Sequence, residues 1–290
     1  MYIKFCDVSH EYQANTPMKN RVLHRVNFSL EKGSFNCIIG HTGSGKSTLL
    51  QHLNALLLPS SGKIFVPGGE MIAGEKPNRN KVRQIRQNVG LVFQFPEHQL
   101  FETTVLADIM FGPKNYGKSS DEAEIAARNA AKIVGLDAFL ERSPFELSGG
   151  QMRLVAIAGV LAMDPDVIVL DEPTSGLDPR SRKMVLSVLD SLQKAGKTII
   201  VATHDMDLVA AHSTHVIVMS AGEKLIEGTP SEIFSQIEMV KKAGIHLPNA
   251  ASVYGEVFGL QDQLPLTTEA FIRSVGAKKK DVPPCSTYNS

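Results

Sequence analysis

The sequence has no excess of either charge: thirty Lys and Arg balance thirty Asp and Glu over 290 residues, a formal net charge of zero at pH 7. A nucleic-acid binder usually carries a basic excess or stripe, so composition gives that partner no support. Cysteine is scarce as well. Cys6, Cys37 and Cys285 stand far apart without paired spacing, so neither a disulfide framework nor a zinc site is expected, and a cytosolic setting is. No window approaches eighteen consecutive apolar residues, and no basic stretch followed by an apolar core opens the chain. Neither a membrane span nor an export signal is expected, while docking onto a membrane protein stays open. The length suits one large domain or two.

What is present is concentrated chemistry. Gly40-His41-Thr42-Gly43-Ser44-Gly45-Lys46-Ser47 matches G-x-x-x-x-G-K-[ST], a loop whose backbone N–H groups wrap nucleotide phosphates. Gly43 and Gly45 allow backbone turns closed to residues with a Cβ, Lys46 supplies a point charge, and Ser47 offers a hydroxyl to Mg²⁺. The residues from Ser34 to Ile39 read as a strand and those from Ser47 to Leu56 as a helix. That order puts a helix N-terminus beneath the phosphates.

Around this loop the chain reads as α/β. Tyr2 to Val8 and Val22 to Leu30 pattern as strands of an antiparallel layer, joined by a polar loop from Gln13 to Asn20. Tyr12 stands at its edge, where it either stacks on an adenine ring or is an ordinary strand-end tyrosine. Lys63 to Val66 is a strand, Pro67 to Asn80 a polar loop, and Lys81 to Gln87 a short basic helix with a solvated face. Val89 to Gln94 is an apolar strand whose last residue either reaches Mg²⁺ or the attacking water, or caps the strand end.

Thr103 to Ala162 is mostly helical by pattern and interrupts the strand–helix alternation, so it reads as an inserted subdomain; Asp121 to Val134 is one helix, stopped by Gly135. Ser148-Gly149-Gly150-Gln151 precedes a helical run from Met152 to Met163, forming a second anion-ready terminus with an exposed hydroxyl. Val167 to Leu170 is an uninterrupted β-branched and aliphatic run, the pattern of a strand buried on both faces, and it ends in Asp171-Glu172. One carboxylate there suits a Mg²⁺ environment and the next suits orienting or deprotonating water, since unpaired buried charge has little structural use. After a turn-rich loop and a helix from Arg180 to Ala195, the strand Thr198 to Thr203 delivers His204 to the same kind of strand end. His212 and His215 have the spacing of a helical metal pair but lack a third or fourth ligand. Val216 to Gly228 reads as a terminal hairpin, and Pro230 opens a short helix.

With these pieces in order, residues 1 to about 235 resemble the ATPase domain of ABC proteins. Gly40 to Ser47 resembles its Walker A motif, Gln94 its Q-loop, Leu147 to Gln151 its signature, and Val167 to Asp171 its Walker B; the catalytic Glu172, the D-loop around Asp178 and the switch His204 follow. Phe95-Pro96-Glu97-His98-Gln99-Leu100-Phe101, Gly40-His41-Thr42-Gly43-Ser44-Gly45, and Gly150-Gln151-Met152-Arg153 followed by Val155-Ala156-Ile157-Ala158, narrow the resemblance to the ATPase subunits of energy-coupling-factor (ECF) transporters, of which the chain is more similar to the second paralogue type. Leu154 departs from the family, which usually has an arginine there.

The resemblance implies a P-loop NTPase with a RecA-like core, an antiparallel β layer, a helical subdomain at about 95–163, a small C-terminal domain at 236–276 and a disordered tail at 277–290. It implies Glu172, His204 and Gln94 as catalytic residues, and Tyr12 with Gly40, His41, Thr42, Gly43, Ser44, Gly45, Lys46, Ser47 and Thr48 as ATP-binding residues. Ser47, Gln94 and Asp171 would hold Mg²⁺, and Ser148, Gly149, Gly150 and Gln151 would touch ATP bound to a partner ATPase. Implied partners are a second ATPase subunit, a transmembrane scaffold and substrate-binding membrane subunits at the cytoplasmic face of the membrane, serving micronutrient uptake. A non-transport ABC protein acting on DNA or ribosomes, or a regulatory subunit without turnover, is the competing expectation. A single cassette, the short separation of phosphate loop and signature, and the presence of both Glu172 and His204 weigh against these.

Overall fold

The structure is a computed structural model, and it describes residues 2–13, 20–75, 78–95, 99–259 and 264–280. Most of the expected loop at 13–20, Pro96, Glu97 and His98 of the segment after the glutamine, and the tail from Asp281 lie outside the described residues.

The chain opens with β1 (Ile3–Tyr12) and β2 (Asn20–Leu30), then β3 (Phe35–Ile39), α1 (Lys46–Leu53), β4 (Ser61–Val66) and β5 (Gly69–Ile72). Strands β1, β2, β4 and β5 form a four-stranded antiparallel sheet in the order β2-β1-β4-β5. The pattern-based reading puts a loop throughout 67–80, whereas Gly69–Ile72 pairs with β4. This edge strand is four residues long and half exposed, too short for alternation to show.

Next come α2 (Arg79–Asn88), β6 (Val89–Val92), α3 (Val105–Asn115), α4 (Ser120–Val134), α5 (Gly149–Leu161), β7 (Val167–Asp171), α6 (Pro179–Lys194), β8 (Thr198–Ala202), α7 (Met206–His212), β9 (His215–Ser220) and β10 (Glu223–Gly228). The second sheet has six strands in the order β10-β9-β3-β8-β7-β6, parallel except for the β9–β10 hairpin. Its central strands read as continuous apolar runs because both faces are covered. Val167 and Val169 enter a core shared with α1 and the antiparallel sheet, while Ile168 and Leu170 enter a second core shared with α3 to α6. Strand β8 divides in the same way, Ile200 to one side and Ile199 and Val201 to the other.

The helical block packs closely because α4 presents Ala123, Ala127, Ala130 and Ala131 to its neighbours. A reciprocal capping box between Ser119 and Glu122 starts that helix, and Gly135, at φ 73°, ends it. Helix α5 begins at Gly149 rather than Met152, so both glycines lie inside its first turn and Ser148 is the cap. His212 ends a helix and His215 starts a strand, which removes the helical spacing of that pair. Instead, His212 Nδ1 lies 2.8 Å from Asp190, and among the described residues no cluster of three or more His, Cys, Asp or Glu could hold a metal ion.

Four helices follow: α8 (Pro230–Ser235), α9 (Ile237–Lys242), α10 (Asn249–Phe258) and α11 (Thr268–Lys280). The segment beyond 236 is not wholly separate, since Val240, Ala243 and Ile245 belong to the main core. Tyr254 packs on Phe258 and Phe271 to join α10 to α11, and α11 runs past the expected boundary at 277.

The turn leading into α3 hangs on one carboxylate. Asp108, buried at 9% exposure, accepts from the backbone N–H groups of Phe101 and Glu102 at 2.9 Å each. Asp108→Ala leaves both donors without that acceptor, so the unfolding free energy falls by about 1–3 kcal/mol, read as a lower urea midpoint at unchanged slope. An unaltered midpoint would show that this turn does not depend on Asp108.

Candidate nucleotide site

Parallel pairing brings the chemistry to one edge. Ile38 on β3 and Asp171 on β7 both register with Ala202 on β8, so the phosphate loop, the Asp171-Glu172 pair and the Thr203-His204 pair emerge side by side. Gly45 makes the turn from loop to helix at φ 98°, and a Cβ on it would stand 2.8 Å from a Leu23 methyl. No side chain caps α1 and its first turn holds no acid, so its N–H groups and positive dipole end are available to an anion.

A cleft of about 310 Å³ opens there, lined by Val22, Thr42, Gly43, Gly45, Lys46, Ser47, Thr48, Gln94, Asp171, Glu172 and His204. The Lys46 ammonium ties the loop together by donating to the Gly40 and His41 carbonyls at 2.8 and 3.0 Å. Burial pushes its pKa down, while the charges of Glu172 and Asp171 oppose that shift. The Asp171 carboxyl is pushed up, chiefly by burial and also by Glu172, with the Ser47 hydroxyl and Lys46 acting against the rise. A carboxylate and a hydroxyl beside one another, with the carboxylate short of compensation, form a hard-oxygen pair that fits Mg²⁺.

Glu172 is held from several directions. Its φ is 48°, a conformation that a residue with a side chain adopts at a cost, and its N–H donates to the Ala202 carbonyl at 2.9 Å. The Thr203 hydroxyl donates to Oε2 at 3.3 Å, and His204 Nδ1–H donates to Oε1 at 2.7 Å. The carboxylate is nearly buried while the His204 side chain remains 70% exposed. One acid is thereby fixed at the cleft wall by partners that leave acceptor capacity for a water.

The other expected contacts lie elsewhere. Tyr12 is outside the cleft lining, with its hydroxyl 3.2 Å from Thr48 Oγ1 on the cleft wall. Gly40 and Ser44 are buried beneath the loop, and His41 faces solvent. Ser148, Gly149, Gly150 and Gln151 form the start of α5 and line no part of this cleft. Ser148 and Gln151 cap each other's backbone at 3.3 and 3.0 Å. Gly150 packs against α6 so closely that a Cβ would stand 2.4 Å from Ser181 Oγ.

Pattern reading assigns no role to Arg153, which sits 4% exposed on α5 and donates to the backbone carbonyls of Phe93 and Gln94. Its signal was a lone charge in an apolar helical run. The signature helix is thus bonded to the Gln94 segment of the cleft. Leu154 beside it is 1% exposed, and its side chain is a core residue.

The ABC transporter family model matches residues 23–175, which carry the phosphate loop, the signature helix and the two acids. The chain belongs to the ABC transporter family. Like other ABC ATPases it hydrolyses ATP. It is 49% identical over 274 residues to the energy-coupling factor transporter ATP-binding protein EcfA2 of Enterococcus faecalis, covering 93% of this chain and 94% of that one. It is 51% identical over 257 residues to the EcfA2 protein of Listeria monocytogenes, covering 88% of each. Among solved structures it is similar to cbiO1 of Clostridium perfringens, part of an ABC transporter complex cbiONQ, with TM-score 0.72 and 35% identity over 89% of this chain and 98% of that one. The ABC ATPase cassette MJ0796, solved as a dimer bound to ADP and Pi, has TM-score 0.70 and 28% identity over 79% of this chain and 98% of its own.

An amide at position 172 can keep hydrogen bonds yet cannot take a proton at neutral pH. Glu172→Gln in the assembled ABC protein should bind ATP normally while steady-state hydrolysis falls by at least about 100-fold. Normal hydrolysis by that variant would remove Glu172 from the chemistry.

Proposed function

We infer that the chain is the ATP-hydrolysing subunit of an energy-coupling-factor importer, a peripheral protein on the cytoplasmic face of the membrane that powers uptake of vitamins or other micronutrients. The observation that carries this reading is identity near one half over about nine-tenths of the chain to ECF transporter ATP-binding proteins. Among the described residues no helix is long and apolar enough to cross a membrane, in keeping with a peripheral subunit.

In this reading each residue has a task. The phosphate loop and Lys46 bind the phosphates of ATP, and Tyr12 supplies a platform for adenine. Ser47, Asp171 and Gln94 would hold Mg²⁺, which when bound neutralises phosphate charge. Glu172 takes the proton of the attacking water, with His204 and Thr203 fixing its carboxylate. Ser148, Gly149 and Gly150 stand away from the chain's own cleft, so in this reading they close on ATP held by a second ATPase subunit. Each chain then contributes half of two sites.

The membrane scaffold is assigned to the groove beside Gln94. This groove, about 400 Å³, lies among β6, α3 and α5, and Phe93, Phe101 and Phe111 line it while remaining more than 40% exposed. Arg153 bonds the groove's rim to the signature helix, so closure around ATP would move whatever is docked there. Micronutrient choice falls to separate membrane subunits.

Mild-detergent purification of the tagged chain from membranes tests the assignment. Recovery of a second ATPase, a multi-span scaffold and small substrate-binding membrane proteins is expected. Recovery of ribosomes or DNA-bound proteins without any membrane protein would leave the ATPase standing and overturn its transport role.

A further inference from the structure

Two buried histidines stand behind Tyr12, outside the cleft lining. His10 on β1 is 7% exposed and His52 on α1 is fully buried. Buried imidazoles are polar groups that fold well only when their nitrogens are satisfied, so their arrangement calls for a reason. Carbonyl oxygens only accept, which places a proton on Nδ1 of each ring: His10 donates to the Leu58 carbonyl at 3.1 Å and His52 to the Thr48 carbonyl at 2.7 Å.

The rings also touch in series. Tyr12 meets His10 edge-on with centroids 4.6 Å apart, and His10 meets His52 edge-on at 4.7 Å. The Tyr12 hydroxyl returns to Thr48 Oγ1 at 3.2 Å, while His52 is bonded to the same residue's carbonyl. Thr48, Tyr12, His10 and His52 therefore close a circuit between the antiparallel sheet and the helix that carries the phosphate loop. Neighbouring bonds hold the end of β1 in place: the Ser60 N–H donates to the Ser9 carbonyl at 2.8 Å, and the Glu11 N–H donates to Ser60 Oγ at 3.0 Å. Burial lowers the pKa of both imidazoles, that of His52 to about 4.

We propose that His10 is a positioning residue for nucleotide binding, fixing the Tyr12 ring at the distance from the phosphate loop at which it receives adenine. The proposal rests on the reading of Tyr12 as the adenine platform. Tyr12 is 37% exposed at a strand end, where a free ring would sample several rotamers and lose entropy on stacking. His10 removes that freedom beforehand, since edge-to-face pairs contribute beyond their buried area. Because the circuit ends on Thr48, two residues past Lys46, the base platform and the phosphate cradle are set by one rigid piece of structure.

The test uses the complex purified from membranes, with ATP turnover measured over a range of ATP concentrations and Mg²⁺-tripolyphosphate as a competitor lacking a base. His10→Ala is expected to raise the KM for ATP about three- to tenfold, with kcat within about twofold and tripolyphosphate inhibition unchanged. His10→Phe, which keeps an aromatic partner for Tyr12, should recover part of the loss. Tyr12→Ala separates the two readings. If it weakens ATP binding and His10→Ala does not, the positioning role is overturned while the adenine platform stands. If Tyr12→Ala leaves KM unchanged, the platform itself falls and the proposal with it. If His10→Ala weakens ATP and tripolyphosphate equally, or lowers kcat in step, the residue supports the fold generally and the proposal is overturned.

Discussion

The parallel pairing of β3 with β8 and of β8 with β7 is the constraint on which the rest of the structure depends. Those three strands are buried on both faces, so their register is fixed by two cores at once. A slip of one residue would exchange the side chains facing the two cores and carry Asp171 and Glu172 away from the phosphate loop. The site is therefore a product of core packing. Its loops add the backbone geometry: Gly45 in a left-handed turn before an uncapped helix, and Glu172 at a positive φ held by Ala202, Thr203 and His204.

A second layer of organisation links parts that carry no shared sequence motif. Arg153 bonds α5 to the backbone at Phe93 and Gln94, and the Asp178 carboxylate caps α6 through Arg180 and Ser181 while Ser181 packs against Gly150. Arg182 on the same helix pairs with Asp205 at 2.6 Å, just after His204. The start of α5, the Gln94 segment and the His204 loop are thus tied into one mechanical unit by charge-assisted bonds from Arg153 and Arg182 and by the packing of Gly150 on Ser181. Such ties suit the proposed function, in which ATP chemistry is felt at a docking groove some distance from the phosphates.

Much of this was legible in the sequence because the physics involved is local. The run Val167 to Leu170 ends in two acids, and no ordinary strand places charge there without a use. The phosphate loop needs glycines and lysine at fixed spacing, and the helical block shows in its alanines and in Gly135. What escaped was set by tertiary partners or by weak signals. Strand β5 contains a glycine and a glutamate and exists because β4 offers an edge. Helix α7 is seven residues long and starts from an Asp205 cap hidden beside the conspicuous His204. The start of α5 was obscured by two poor helix formers, although Ser148 and Gln151 spell a capping box. Arg153 and the His10–His52 pair acquire meaning only when distant elements meet.

The proposed function rests on a division of labour in which this chain supplies the binding half of one ATP site and the signature half of another. Its most direct test is the rate of ATP hydrolysis by a fixed low concentration of the purified chain as its copurifying ATPase partner is titrated in, with the membrane scaffold present. Turnover should be near background for the chain alone and rise to a plateau at one partner per chain. Full turnover by the dilute chain alone, unchanged by the partner, would mean that one chain completes the site by itself and would contradict the account.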